Sequence, residues 1–205
     1  MIDYFYRGGP VMYPLLFCSL VSLTIIIERS LFWFRERHRG DAALRDRFMK
    51  MIERNDLEEA RRITAGTRDF IISVLVCGLV HREFSMRDAL QMGADEEIAR
   101  MRRYLPVLDT MITLSPLLGI LGTVVGIISS FTMLGEVGVE NPGLVTVGIG
   151  QALITTAFGL IIAIFSLIPY NYFQSRIEHA VREIEKYGTS LEIVVDRNKN
   201  GVRVT

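Results

Sequence analysis

Two apolar stretches of this 205-residue chain place hydroxyl side chains where water is scarce. Residues 144–173, LVTVGIGQALITTAFGLIIAIFSLIPYNYF, contain no formally charged side chain. Within them Ala152, Thr156, Gly159, Ala163 and Ser166 recur at i, i+4, i+7, i+11 and i+14, so one helix face carries only small or hydroxyl groups. Residues 107–135 repeat the pattern with Pro116, Gly119, Thr123, Gly126 and Ser130. Small faces let helix backbones approach closely, and hydroxyls on them seek a partner or water. If both helices start at the short segment between them, Thr123 lies twelve residues from Gly135 and Thr156 twelve from Leu144. Both hydroxyls then sit roughly 18 Å below the outer ends, at one depth near the bilayer middle. In an oligomer they could form a polar ring wet enough to pass a proton along water. The competing reading is that each threonine bonds its own i−4 carbonyl and the stripes only pack helices.

The same stretches lack a titratable group of their own. Between Thr110 and Phe173 the acids are Glu136 and Glu140, at the outer edge, and there is no Lys, Arg or His. Gln151 can hydrogen-bond but cannot ionise. A proton relay in a membrane usually needs an acid or histidine, so any exchanging carboxylate has to come from another polypeptide. His38, His81 and His179 all lie outside the apolar runs, which leaves no Ser–His pair or histidine metal site inside a membrane. Neither an enzyme nor a cofactor or metal protein is expected.

The elements that position these residues follow from the clumping of the apolar half of the composition, which marks a membrane protein. Residues 1–34 read as a periplasmic segment and a first transmembrane helix. Its uncharged core, Val11 to Ile27, is seventeen residues long, and LFWF followed by RERHR forms an interfacial belt. Residues 35–105 are a charged, cytoplasmic helical domain. In it Asp56 and Glu59 have capping-box spacing, and Phe70–Val80 is apolar but too short to span. Met86–Leu105 is expected to run straight into the second transmembrane helix (106–135), with Pro106 bending the junction. A periplasmic loop (136–143) leads to the third (144–173). Residues 174–205 continue as an amphipathic cytoplasmic helix, frayed from Arg197 onward. The fold class is an all-α membrane protein with three transmembrane helices, the second and third extended into a cytoplasmic helical bundle.

Charge fixes the expected orientation. Of 23 Lys and Arg, 16 lie in residues 29–103, 6 follow Phe173, and only Arg7 precedes the first span. The positive-inside rule places the N-terminus outside and the C-terminus in the cytoplasm. The formal net charge is zero, so nucleic acid is not an expected partner. Cys18 and Cys77 are expected as free thiols, and no cleaved signal peptide is expected.

Ser115 to Phe131, SPLLGILGTVVGIISSF, together with Gly150 to Asn171, resembles the MotA/TolQ/ExbB family of proton-channel motor subunits, its ExbB/TolQ branch above all. Pro116, Leu117, Leu118, Gly119, Leu121, Gly122, Thr123, Val124 and Gly126 match one motif of that family. Ala152, Leu153, Thr156, Ala157, Gly159 and Leu160, closed by Tyr170-Asn171, match the other. The three-span layout and the Glu28-Arg29 exit from the first helix agree. The resemblance implies a homopentamer in the bacterial inner membrane around an ExbD/TolR-type single-span partner whose membrane aspartate exchanges protons. It makes Thr123 and Thr156 the positions facing that aspartate, with Gln151 where the family commonly has glutamate. The A-I-P pattern that usually follows is altered too, to Ala163-Ile164-Phe165, with Pro169 later. Pro116, Gly119, Gly126, Ser130, Ala152, Gly159 and Ala163 are then expected to line the pore, with the first span outside. The implied work is energising TonB-dependent outer-membrane transport. A TolQ-like envelope-integrity or gliding-type motor with a TolA-like protein is the second expectation, and a non-conducting scaffold the third.

Overall fold

The computed structural model describes residues 8–37, 40–67, 69–81, 85–137 and 142–199. Seven helices occupy them: α1 (Met12–Arg37), α2 (Ala42–Glu53), α3 (Leu57–Thr64), α4 (Phe70–Val80), α5 (Met86–Arg102), α6 (Leu105–Val137) and α7 (Pro142–Lys199). Half of the expected outer loop (138–141), the last residues of the frayed tail and His38 lie outside the described residues. The chain forms two compact units, one of Met1–Arg29 with Tyr104–Phe173 and one of Ser30–Arg103 with Gln174–Thr205.

The first unit is a membrane domain by length and composition, because three helices are long and apolar enough to cross a bilayer. Its outside is greasier than its inside. On α1, Leu15, Cys18, Ser22 and Arg29 are buried while Phe17, Leu20, Leu23 and Ile27 are exposed. Leu117, Ile128, Phe165 and Ile168 on α6 and α7 are exposed as well. A water-soluble domain hides such side chains, whereas lipid or a neighbouring chain covers them at no hydrophobic cost. Pro116 and Pro169 lie within α6 and α7, a tolerance typical of membrane helices, where neighbours re-satisfy the freed carbonyl.

The second unit has an ordinary core. Phe48, Ile52, Ile71, Ile72, Leu75, Met101, Ile177 and Leu191 are fully buried. The short apolar helix α4 lies in this core, as its eleven-residue length requires. Its N-cap, Asp69, is wholly buried and accepts from the Ile71 and Ile72 amides, the Asp41 amide and Arg45 Nε, the last at 2.8 Å. Four donors are what make a buried carboxylate affordable. Arg45 also lies over the Phe70 ring and reaches Glu183 of α7 at 3.5 Å. Asp56 caps α3 by accepting from the Glu59 amide, as its spacing implied.

One expectation is corrected. Met86–Leu105 does not run into the second span with a bend at Pro106. The helix stops at Arg102, Tyr104 takes a left-handed φ of 66°, and a new helix starts at Leu105. Pro106 falls in the first turn of α6, where its missing N–H breaks no helical bond. The proline thus starts a helix instead of kinking one, and the break falls at Tyr104, whose left-handed backbone carries a conformational cost.

Candidate functional site

The small residues of α6 and α7 are spent on bringing the two backbones together. A Cβ added to Gly159 would stand 2.5 Å from the Ser115 carbonyl oxygen. One on Gly119 would stand 3.0 Å from Thr156 Cα, and one on Gly126 3.0 Å from Ala152 Cβ. One on Gly122 would meet Thr155 Oγ1 at 2.4 Å. Only glycine fits at such a crossing, and the reward is dense backbone contact where no hydrophobic effect operates.

The buried stripes are turned slightly from the positions expected. On α6 the buried line is Ser115, Gly119, Gly122, Gly126 and Ser130. On α7 it is Ala152, Thr155, Gly159, Ala163 and Ser166. Gly119, Gly126, Ser130, Ala152, Gly159 and Ala163 therefore lie inside the single chain, whereas Pro116, Thr123 and Thr156 sit half-buried at the flank of the helix pair. Spacing alone passed over Ser115, Gly122 and Thr155. Each is a small residue adjacent to one that was chosen, and the clue was the Gly119-x-x-Gly122-x-x-x-Gly126 series.

The two threonines differ in how they are held. Thr123 Oγ1 donates to the Ile120 carbonyl of its own helix at 2.6 Å, at i−3 and not i−4. Thr156 Oγ1 donates across to the Gly119 carbonyl of α6 at 2.9 Å. That bond sets Thr156 level with Gly119, four residues from Thr123, so the hydroxyls are staggered by about one turn, roughly 6 Å, and not at one depth. Each hydroxyl keeps lone pairs to accept a bond from a further donor, and can rotate to donate to an arriving anion.

Gln151, also half-buried, sits one turn nearer the start of α7 than Thr155. Its amide packs on the backbone of Gly9. A Cβ there would come within 1.8 Å of Gln151 Nε2, and Gly9 has a φ of +70°. Glycine is required on both counts. At the other end of the unit Arg29, 2% exposed, is ion-paired with Glu28 and lies 5.8 Å over the Tyr104 ring. Between Thr110 and Phe173 no described side chain carries a formal charge, and no group of three metal-ligating side chains occurs among the described residues. The site offers hydroxyls, amide and carbonyls, and no acid.

Comparison with known proteins finds a family and relatives by sequence. Residues 45–186 match the MotA/TolQ/ExbB proton channel family. The chain is 39% identical over 201 residues to a biopolymer transport protein named ExbB-like 1 of Synechocystis, covering 95% of this chain and 78% of that one. It is 26% identical to the biopolymer transport protein ExbB of Salmonella typhimurium, over 82% of this chain and 72% of that one. The Tol-Pal system protein TolQ of Pseudomonas aeruginosa is 34% identical over 53% of this chain and 47% of its own length.

Proposed function

This chain belongs to the MotA/TolQ/ExbB proton channel family, and from that premise we propose that it is the proton-conducting subunit of an ExbB/TolQ-type motor. Relatives of the chain carry the name of biopolymer transport proteins. The finer reading is a bacterial inner-membrane protein with its N-terminus in the periplasm and its C-terminus in the cytoplasm. It assembles as a homopentamer around an ExbD/TolR-type partner and energises TonB-dependent outer-membrane transport. The likeness to a TolQ protein favours a TolA-coupled envelope motor as the second reading.

What carries the proposal is the flanking position of Thr123 and Thr156. Both residues lie half-buried at the edge of the α6–α7 seam, Thr123 bonded to its own helix and Thr156 across the seam to Gly119, in a stretch without a charge of its own. A partner carboxylate there would cross the point of lowest dielectric, where an ionised acid is costly unless hydrogen-bonded. While each hydroxyl donates to its carbonyl it can accept from a protonated acid. Released from that carbonyl, it can donate to the ionised one. Two such hydroxyls a turn apart give the acid a partner in both protonation states along the path, and Gln151 supplies neutral hydrogen bonds nearer the outer side. Gly119, Gly126, Ser130, Ala152, Gly159 and Ala163 pack the α6–α7 seam that backs the path, and Pro116 lies at its flank.

The test is proton uptake into liposomes holding the chain alone, a single-span partner with a membrane aspartate alone, or both together. Flux only when both are present supports the channel. Assembly without flux makes the chain a scaffold.

A further inference from the structure

In the second unit, Trp33 near the end of α1 is 6% exposed, yet its indole N–H meets no acceptor among the described residues. Burying a donor unsatisfied costs roughly 1–3 kcal/mol, so something is expected to answer it. Trp33 lines a cavity of about 170 Å³ built from residues of this unit only. Arg176 lines it too, with its guanidinium 5.3 Å over the Trp33 ring and its Nε buried without an acceptor. Arg37 and His179 are in the same wall, and neither they nor Arg176 form an ion pair among the described residues.

Two acids also line the cavity and each has one arginine partner, although Glu36 Oε2 is itself buried without a hydrogen-bond partner among the described residues. Glu183 is 3.5 Å from Arg45, and Glu36 is 3.4 Å from Arg100. The wall therefore keeps a surplus of positive charge together with two buried N–H donors. Water would satisfy the donors but leave the guanidiniums uncompensated. A tetrahedral oxyanion answers both needs, and arginine suits phosphate in particular. The volume holds roughly five water-sized molecules, enough for a phosphate group. Along the chain, Trp33 and Arg37 close the first span, and Arg176 and His179 come just after Phe173, where the third uncharged run ends. That is the level of lipid headgroups.

We infer that this cavity binds a phosphate group, with Trp33 Nε1–H and Arg176 Nε–H donating to its oxygens, Arg37 adding charge and His179 lining the wall. The phosphate belongs either to an anionic lipid headgroup or to a soluble phosphate. Trp33 is the chain's single tryptophan, so its fluorescence reads the site directly. The full-length protein in phosphate-free detergent is titrated with inorganic phosphate. In parallel, the protein in phosphatidylcholine nanodiscs is compared across rising phosphatidylglycerol content. A saturable change in Trp33 emission is expected in at least one arm, weakened about tenfold or more in Arg176→Gln. Arg37→Gln, at an exposed position with no core contact to lose, weakens it as well, and Arg62→Gln on the surface of α3 leaves it unchanged. A response to phosphatidylglycerol alone assigns the site to lipid, and a response to inorganic phosphate assigns it to a soluble anion. No saturable change in either arm overturns the inference. So does parental affinity in both the Arg176 and Arg37 variants.

Discussion

Thr155 and Thr156 are neighbours in sequence with opposite fates. Thr155 is 1% exposed, pressed against Gly122, with its hydroxyl on the Ala152 carbonyl at 2.8 Å, whereas Thr156 stands at the flank and reaches across to α6. Helical spacing, the depth count and motif resemblance all chose Thr156 and passed over Thr155, one residue and about 100° away, and the hydrogen bonds show what distinguishes the two. A titratable residue outside the spans was not legible at all. Glu97 on α5 is held above the usual carboxylate range by burial, against the pull of Arg100 and with Glu36 and Glu96 adding to the rise. A raised carboxyl favours folding while protonated. Its contribution is full below the ordinary glutamate value and is lost as pH climbs through the raised one. Glu97→Gln is therefore expected to melt higher than the parent at neutral pH, with the difference vanishing toward pH about 4. Thermal unfolding at the two pH values checks this, and an unchanged difference across pH counts against it.

At the scale of elements, the three long helices, the buried α4 and the cap at Asp56 were all legible, because apolar run length and capping spacing are local signals. The break at Tyr104 was not. Proline dominates any reading of a junction, and a left-handed tyrosine leaves no mark in composition. Nor was the exact face of the α6–α7 seam, since small residues lie on both sides of it. The seam makes a sharp prediction. Gly159→Ala forces a Cβ to within 2.5 Å of a backbone oxygen that cannot step aside, and should cost about 1–3 kcal/mol. Gly150→Ala meets nothing within 4 Å and should be neutral or gain up to about 1 kcal/mol from helix propensity. Melting of the two variants in detergent checks the pair, and equal effects would mean that the helices do not cross as described. The buried ion pair of the second unit allows a like test. Asp69→Ala strands Arg45 beside Phe70 and removes the α4 cap, an expected loss of about 3–5 kcal/mol. A loss under about 1 kcal/mol in denaturant unfolding would show that Asp69 is better solvated than its burial indicates.

At the scale of the whole molecule, large apolar side chains face outward along all three spans, so lipid or another chain must cover them. Charge supplies the other constraint, because a chain with no acid between Thr110 and Glu136 cannot move a proton through that stretch unaided. Composition made both points legible, while partner and stoichiometry rest on family. The central claim is that Thr123 and Thr156 handle the proton and that Thr155 only packs. It is tested by proton flux into liposomes carrying the chain with its aspartate-bearing partner, compared among the parent, Thr123→Val, Thr156→Val and Thr155→Val, each first shown to assemble. Valine keeps the volume and removes the donor and acceptor, so flux should fall about tenfold or more in the Thr123 and Thr156 variants. It should stay near parental in Thr155→Val. Parental flux in both flank variants, or a loss confined to Thr155→Val, contradicts the account.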